Sequence, residues 1–199
     1  MKVLIDNGHG ANTTGKCSPD GSLREYRWAR EIAARLEAEL TARGYDAVRI
    51  VTEEHDVSLT ERVSRINELC KEHGAGNCVL VSIHVNAAGA DGKWHSARGW
   101  SGWVSSNSSM KSREFAQMLY DEAARRGLRG NRCVPNDRYW VGNWAICRSS
   151  RCPAVLTENL FQDNREDVDF LLSEKGKEEI VKLHFDAIVK YVKKYGGGK

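Results

Sequence analysis

Cys78-Val79-Leu80-Val81-Ser82-Ile83 is apolar almost throughout. The run is too short for a typical helix and too continuous for a strand with one wet face, so it reads as a central strand covered on both sides. Such a strand needs helices above and below its sheet, and the rest of the sequence supplies them. Apolar strands alternate with amphipathic stretches along the chain, with no repeat and no Pro- or Ser-rich linker. That alternation predicts an α/β fold: one catalytic domain over residues 1–199, a mixed, mostly parallel sheet of about six strands, and helices on both faces. Strands are expected at Lys2–Asp6, Tyr45–Val51, Cys78–Ile83, Gly99–Ser105, Tyr139–Ile146 and Pro153–Thr157. The expected helices are Leu23–Arg43, one opened by the capping pattern Ser58-Leu59-Thr60-Glu61 and ending near Gly74, Met110–Arg126 and Ser173–Tyr195. A short acidic turn precedes the last helix, and residues 196–199 read as a flexible tail.

Charge and length remove several function classes. The 199 residues carry 30 Lys and Arg against 27 Asp and Glu, a net +3 too small and too scattered for a nucleic-acid binder. No apolar stretch approaches the roughly 18 residues of a membrane span, so membrane insertion is not expected. Met1–Ile5 meets Asp6 too early for a secretory signal. The expectation is a chain made in the cytoplasm. Its six cysteines contain no Cys-x-x-Cys pair, which argues against a zinc ribbon, and mostly reduced thiols are expected, with Cys147 and Cys152 the pair to inspect.

Two expected strands end at a histidine, His9 in Asn7-Gly8-His9-Gly10 and His84 in His84-Val85-Asn86, and a third ends at Glu158. Parallel strands gather their carboxyl ends along one sheet edge, where ligands collect. Glu25, in the first turn of the helix after the glycine-rich loop, can reach back to that edge. Taken singly, each histidine also fits a hydrogen-bonded edge residue; the coincidence at one edge is what points to a metal. Two imidazoles and one carboxylate are a usual ligand set for catalytic zinc, leaving Glu158 as a base that does not bind the ion. His184 falls on the apolar stripe of the last helix, and His55, His73 and His95 lie in polar surroundings. Gly10-Ala-Asn-Thr-Thr-Gly15-Lys16-Cys17 imitates a phosphate-cradling loop, but Cys17 lacks the hydroxyl that magnesium needs and Ser18-Pro19-Asp20-Gly21 is a turn where a helix should start.

At these residues the sequence resembles the zinc-dependent N-acetylmuramoyl-L-alanine amidases of the type-3 family, which cut bacterial peptidoglycan. The matching segments are Leu4–Gly10, Glu25, Ser82–Ala87 and Pro153–Glu158. The resemblance implies zinc held by His9, Glu25 and His84, with Glu158 as the catalytic carboxylate cleaving the amide between the lactyl group and L-alanine. Two positions depart from the family pattern: Ala11 and Leu160 stand where glycines are common. Between Ala88 and Met110 there is no counterpart of the insertion that blocks some members, so an open cleft is expected. Asn86, His95, Trp100 and Trp144 are the expected substrate contacts, Trp94, Trp103 and Trp140 lying in the same loop-rich region. A chain of this kind resembles phage lysis enzymes, which implies peptidoglycan as partner, a monomer, and a holin-type protein for release to the wall. Two alternatives remain open: a wall-binding module of the same fold with weak catalysis, and a zinc peptidase acting within the stem peptide.

Overall fold

The computed structural model describes residues 1–197. Six strands form one sheet: β1 (Lys2–Asn7), β2 (Asp46–Arg49), β3 (Cys78–Asn86), β4 (Ser101–Ser105), β5 (Trp140–Gly142) and β6 (Ala154–Phe161). Their spatial order is β2-β1-β3-β6-β4-β5, and the β4–β6 pairing alone is antiparallel. This is the mixed, mostly parallel sheet that the alternating pattern predicts. The helices are α1 (Glu25–Ala42), α2 (Leu59–His73), α3 (Met110–Arg125), α4 (Ala145–Ser149), α5 (Arg165–Leu172) and α6 (Glu174–Tyr195).

Strand alternation divides the core in two. Val3, Ile5, Val79, Val81 and Val155 face one side with the apolar stripes of α1, α3 and α6. Leu4, Leu80 and Leu156 face the other, against Ile66 of α2 and Ile146 of α4. Continuing that second set toward the carboxyl ends of the strands leads to Asp6, Ser82, His84 and Glu158. Ser58 caps α2 as its sequence pattern predicts, its side chain accepting the Glu61 N–H at 3.2 Å. Among the described residues no helix is long and apolar enough to cross a membrane.

Five elements differ from the sequence expectation, the first being β3, expected to end at Ile83, which runs on to Asn86 and holds His84 within it. Tyr139–Ile146 is not one strand: β5 stops at Gly142, and Ile146 lies in α4. The acidic segment before the last helix is itself helical, because the Asn164 side chain caps α5 by accepting the Asp167 N–H at 3.1 Å. The last strand runs past Glu158 to Phe161, with a bulge: His84 pairs Glu158 but Asn86 pairs Phe161, so β6 holds one extra residue there. Leu160 occupies that bulge at φ 65°, the left-handed conformation that explains why a glycine suits this position. Finally, β2 is shorter than the expected Tyr45–Val51. All six cysteines are free thiols, Cys147 and Cys152 included. Of the expected tail 196–199, residues 198 and 199 lie outside the described residues.

Candidate active site

Where β1 ends, the chain bends sharply, and His9 takes φ 60°, a left-handed conformation that costs a non-glycine residue roughly 1–2 kcal/mol. Its two neighbours have no room for side chains. A Cβ on Gly8 would stand 2.3 Å from Cε1 of His84, and one on Gly10 would stand 2.0 Å from the Asp56 nitrogen. The glycines that flank His9 therefore let its backbone lie directly on the His84 ring and on the 55–56 segment.

Glu25 opens α1 and is buried at 1% exposure. Its Oε1 accepts the Val85 N–H at 3.0 Å and lies 3.2 Å from Nδ1 of His84. Its Oε2 lies 3.4 Å from Nε2 of His9 and has no hydrogen-bond partner among the described residues. One ligand atom from each of His9, Glu25 and His84 falls within 4.8 Å of the others, and the two rings stand perpendicular with centroids 5.2 Å apart. Burial by itself would raise the Glu25 carboxyl, but the hydrogen bond to His84 and the closeness of both imidazoles outweigh it and hold the group well below the usual carboxylate range. Burial pulls His84 down; the Glu25 hydrogen bond and charge reverse this and raise it. A buried carboxylate oxygen without a partner, beside two imidazole nitrogens, is a donor set that could bind a divalent metal ion.

Glu158 sits on β6 directly across from His84. Burial pushes its carboxyl up to about 7, opposed by positive charge on His84 and reinforced by Glu25. Its Oε2 also lacks a partner. These side chains line a cleft of about 410 Å³ whose wall also includes Asp56, Leu59, Asn86 and Trp144.

The expected substrate contacts divide. Asn86 and Trp144 line the cleft, while His95 and Trp100 are not part of its wall among the described residues. Trp100 is 1% exposed, its indole N–H donating to Asn159 Oδ1 at 2.9 Å, so its ring is core and presents no face to a ligand. His95 instead pairs with Asp91 at 2.9 Å. Trp103 stacks near Trp140 and Trp144 at centroid distances of 6.0 and 5.7 Å, beside the cleft. His184 is a core residue as expected: Nε2 meets Thr157 Oγ1 at 3.0 Å, Nδ1 donates to the Ile180 carbonyl at 2.8 Å, and burial lowers it to about 4. Arg62 is the residue that sequence reasoning misses. Its signal was a charge on the buried stripe Arg62, Ile66, Cys70 of α2.

Residues 3–190 match the family described as N-acetylmuramoyl-L-alanine amidase. The chain belongs to that amidase family. Among curated relatives it is similar to the endolysin of Bacillus phage SPP1, 26% identical over 200 residues that cover 98% of this chain and 68% of that protein. The amidase CwlM of Bacillus licheniformis is 25% identical over 199 residues, covering 96% and 68%. Among solved structures, an N-acetylmuramoyl-L-alanine amidase from Clostridium difficile 630 superposes with a TM-score of 0.81 at 26% identity, covering 96% of each chain. The amidase family thus accounts for the whole sheet, from β1 to the body of α6.

Proposed function

We propose that this amidase-family chain is a zinc-dependent N-acetylmuramoyl-L-alanine amidase that hydrolyses peptidoglycan between the lactyl group of muramic acid and L-alanine. The observation that carries the reading is the approach of His9, Glu25 and His84 within 4.8 Å beside the unpartnered oxygen of Glu158. His9, Glu25 and His84 would hold the zinc through two imidazole nitrogens and one carboxylate oxygen. Zinc in that position supplies Lewis acidity, which makes water easier to deprotonate and stabilises charge developing on a carbonyl oxygen.

Glu158 then has the proton work. Glu158 lines the cleft, where its carboxylate would take a proton from the attacking water and return it to the departing alanine nitrogen. Burial suits it to both tasks, since a carboxyl raised to about 7 is base enough to take a proton and still acid enough to return it near neutral pH. Trp144 and Asn86 in the wall would orient the stem peptide and its sugar. Likeness to a phage endolysin supports action on the cell wall, and a monomer released by a holin-type protein is part of the same proposal.

Glu158→Gln keeps the size of the side chain and removes its ability to accept a proton. Turnover of sacculi should fall by about 10²- to 10⁴-fold while zinc content stays at one per chain. Labelled new amino termini in wild-type digests should be alanine. New reducing ends, or another terminal residue, would replace the amidase reading with a muramidase or a stem peptidase. Turnover within a few-fold of wild type in Glu158→Gln would remove Glu158 from the proton path.

A further inference from the structure

Alternation along β3 places Ser82 and His84 on one face, and the parallel register sets Asp6 of β1 directly beside Ser82. The three side chains form a row. Ser82 Oγ lies 2.5 Å from Asp6 Oδ2, and because an ionised carboxylate only accepts, the serine hydroxyl donates. Its proton is thereby committed. The serine oxygen can offer only a lone pair to Nε2 of His84, 3.2 Å away, so Nε2 must carry the ring hydrogen. Nδ1, 3.2 Å from Glu25 Oε1, is thereby the nitrogen that faces a metal ion, which would displace the proton Nδ1 shares with Glu25.

Arg62 fixes the other end of the row. Its Nη1 donates to Asp6 Oδ1 at 2.8 Å and to the Asn7 carbonyl at 2.5 Å. Nη2 donates to Asp56 Oδ1 at 3.0 Å and to the His9 carbonyl at 3.1 Å, and Nε to the Val57 carbonyl at 2.7 Å. All five N–H groups of the guanidinium are used. Arg62, Asp6 and Ser82 are 3%, 2% and 0% exposed, so the bonds that join these three do not compete with bulk water. The planar fork ties β1, the bend that carries His9, and the segment before α2 into one rigid unit.

We propose that Arg62, Asp6 and Ser82 are positioning residues that fix the tautomer and ring orientation of His84, and the backbone of His9, for metal binding. The proposal rests on the metal site above. A ligating histidine held by a hydrogen-bonded carboxylate on its far nitrogen binds more strongly and in one orientation; here the carboxylate acts through a serine. A buried ion pair that only braced the fold would need Arg62 and Asp6 but not the hydroxyl of Ser82.

Ser82→Ala removes one oxygen atom and leaves the ion pair intact. Zinc affinity of the purified apo chain is measured by competition with a chelator, next to ¹⁵N spectra of the histidine rings and thermal unfolding without metal. Ser82→Ala should bind zinc about 10- to 100-fold more weakly than wild type, melt close to wild type as the apo chain, and lose the Nε2-protonated signature of His84. Asp6→Asn, which keeps the shape but removes the charge, should weaken zinc binding in the same range, and decides the matter if Ser82→Ala does not fold. Wild-type affinity together with an unchanged His84 tautomer in these variants would overturn the relay alone. A wild-type chain that binds no zinc would overturn the metal site, and the relay with it.

Discussion

Glu25 and Glu122 are both helical carboxylates and both 1% exposed, yet their surroundings are opposite. Glu122, on α3, is saturated by permanent cations: Lys190 of α6 meets Oε1, while Arg125 and Arg126 meet Oε2. Asp186 of α6 joins the same group, 2.6 Å from Arg126. Burial would raise Glu122, but the bonds from Lys190, Arg126 and Arg125 overcome it and bring the carboxyl down to about 2. Glu25 has one fixed donor, the Val85 N–H, and otherwise only two imidazoles whose charge depends on pH. Saturated, a buried acid is a cross-link between helices. Left with an unpartnered oxygen between two imidazoles, it is an open demand for a cation the chain does not itself contain.

The contrast is sharpest under substitution. Glu25→Gln removes a proposed ligand, so zinc affinity and turnover should each fall by about 100-fold or more, beyond the loss expected for an outer partner. Glu122→Gln should leave both near wild type. An Glu25→Gln chain that keeps stoichiometric zinc in a chelator titration would break the comparison at its more important end. Stability should respond the other way. Glu122→Gln loses charged hydrogen bonds between α3 and α6 and should cost about 1–3 kcal/mol in urea unfolding. Without metal, Glu25→Gln should cost less than Glu122→Gln, because one backbone N–H and two imidazoles of pH-dependent charge hold Glu25 where three permanent cations hold Glu122. Equal destabilisation of the two variants would show that both acids are structural.

The smallest effect is in acid. The folded-state value of Glu122 lies below its ordinary 4.5, so the folded state holds the proton less tightly than the unfolded chain. Its stabilisation is therefore present above about 4.5 and is lost as pH falls through about 2. The stability gap between wild type and Glu122→Gln should narrow across that window. A gap that stays constant with pH would mean that Glu122 is not ionised in its bridges.

Much of the site is legible in the sequence because strand ends carry position. His9 and His84 follow apolar runs whose parallel pairing fixes their edge, and Glu25 needs only the helix that follows the loop. What escapes are contacts decided by register or by distant segments. Trp100 and Trp144 look alike in a loop-rich stretch, but only the pairing of β4 with β6 decides which is core and which lines the cleft. The run Tyr139–Ile146 is apolar enough for strand or helix, and its division between β5 and α4 depends on a short apolar segment that periodicity cannot resolve. Arg62 is buried because acceptors from two stretches of chain, residues 6–9 and 56–57, converge on it, information that no local pattern holds. Leu160 shows the reverse case: the missing glycine was visible, but the bulge that gives it meaning appears only in the pairing.

The two outer strands carry a consequence for behaviour in concentrated solution. A long free edge exposes a row of unused N–H and C=O groups, and such rows recruit other chains into cross-β aggregates. Here β2 offers four residues, begun by an exposed aspartate that pairs with Lys2, and β5 offers three that end in Gly142. Neither edge is long enough to template a growing fibril. Val141, 58% exposed on the β5 edge, is the one apolar side chain there that points outward, and it is isolated between a tryptophan and a glycine. Edges this short, one led by a charge and the other closed by a glycine, keep the sheet from being the place where copies stick together.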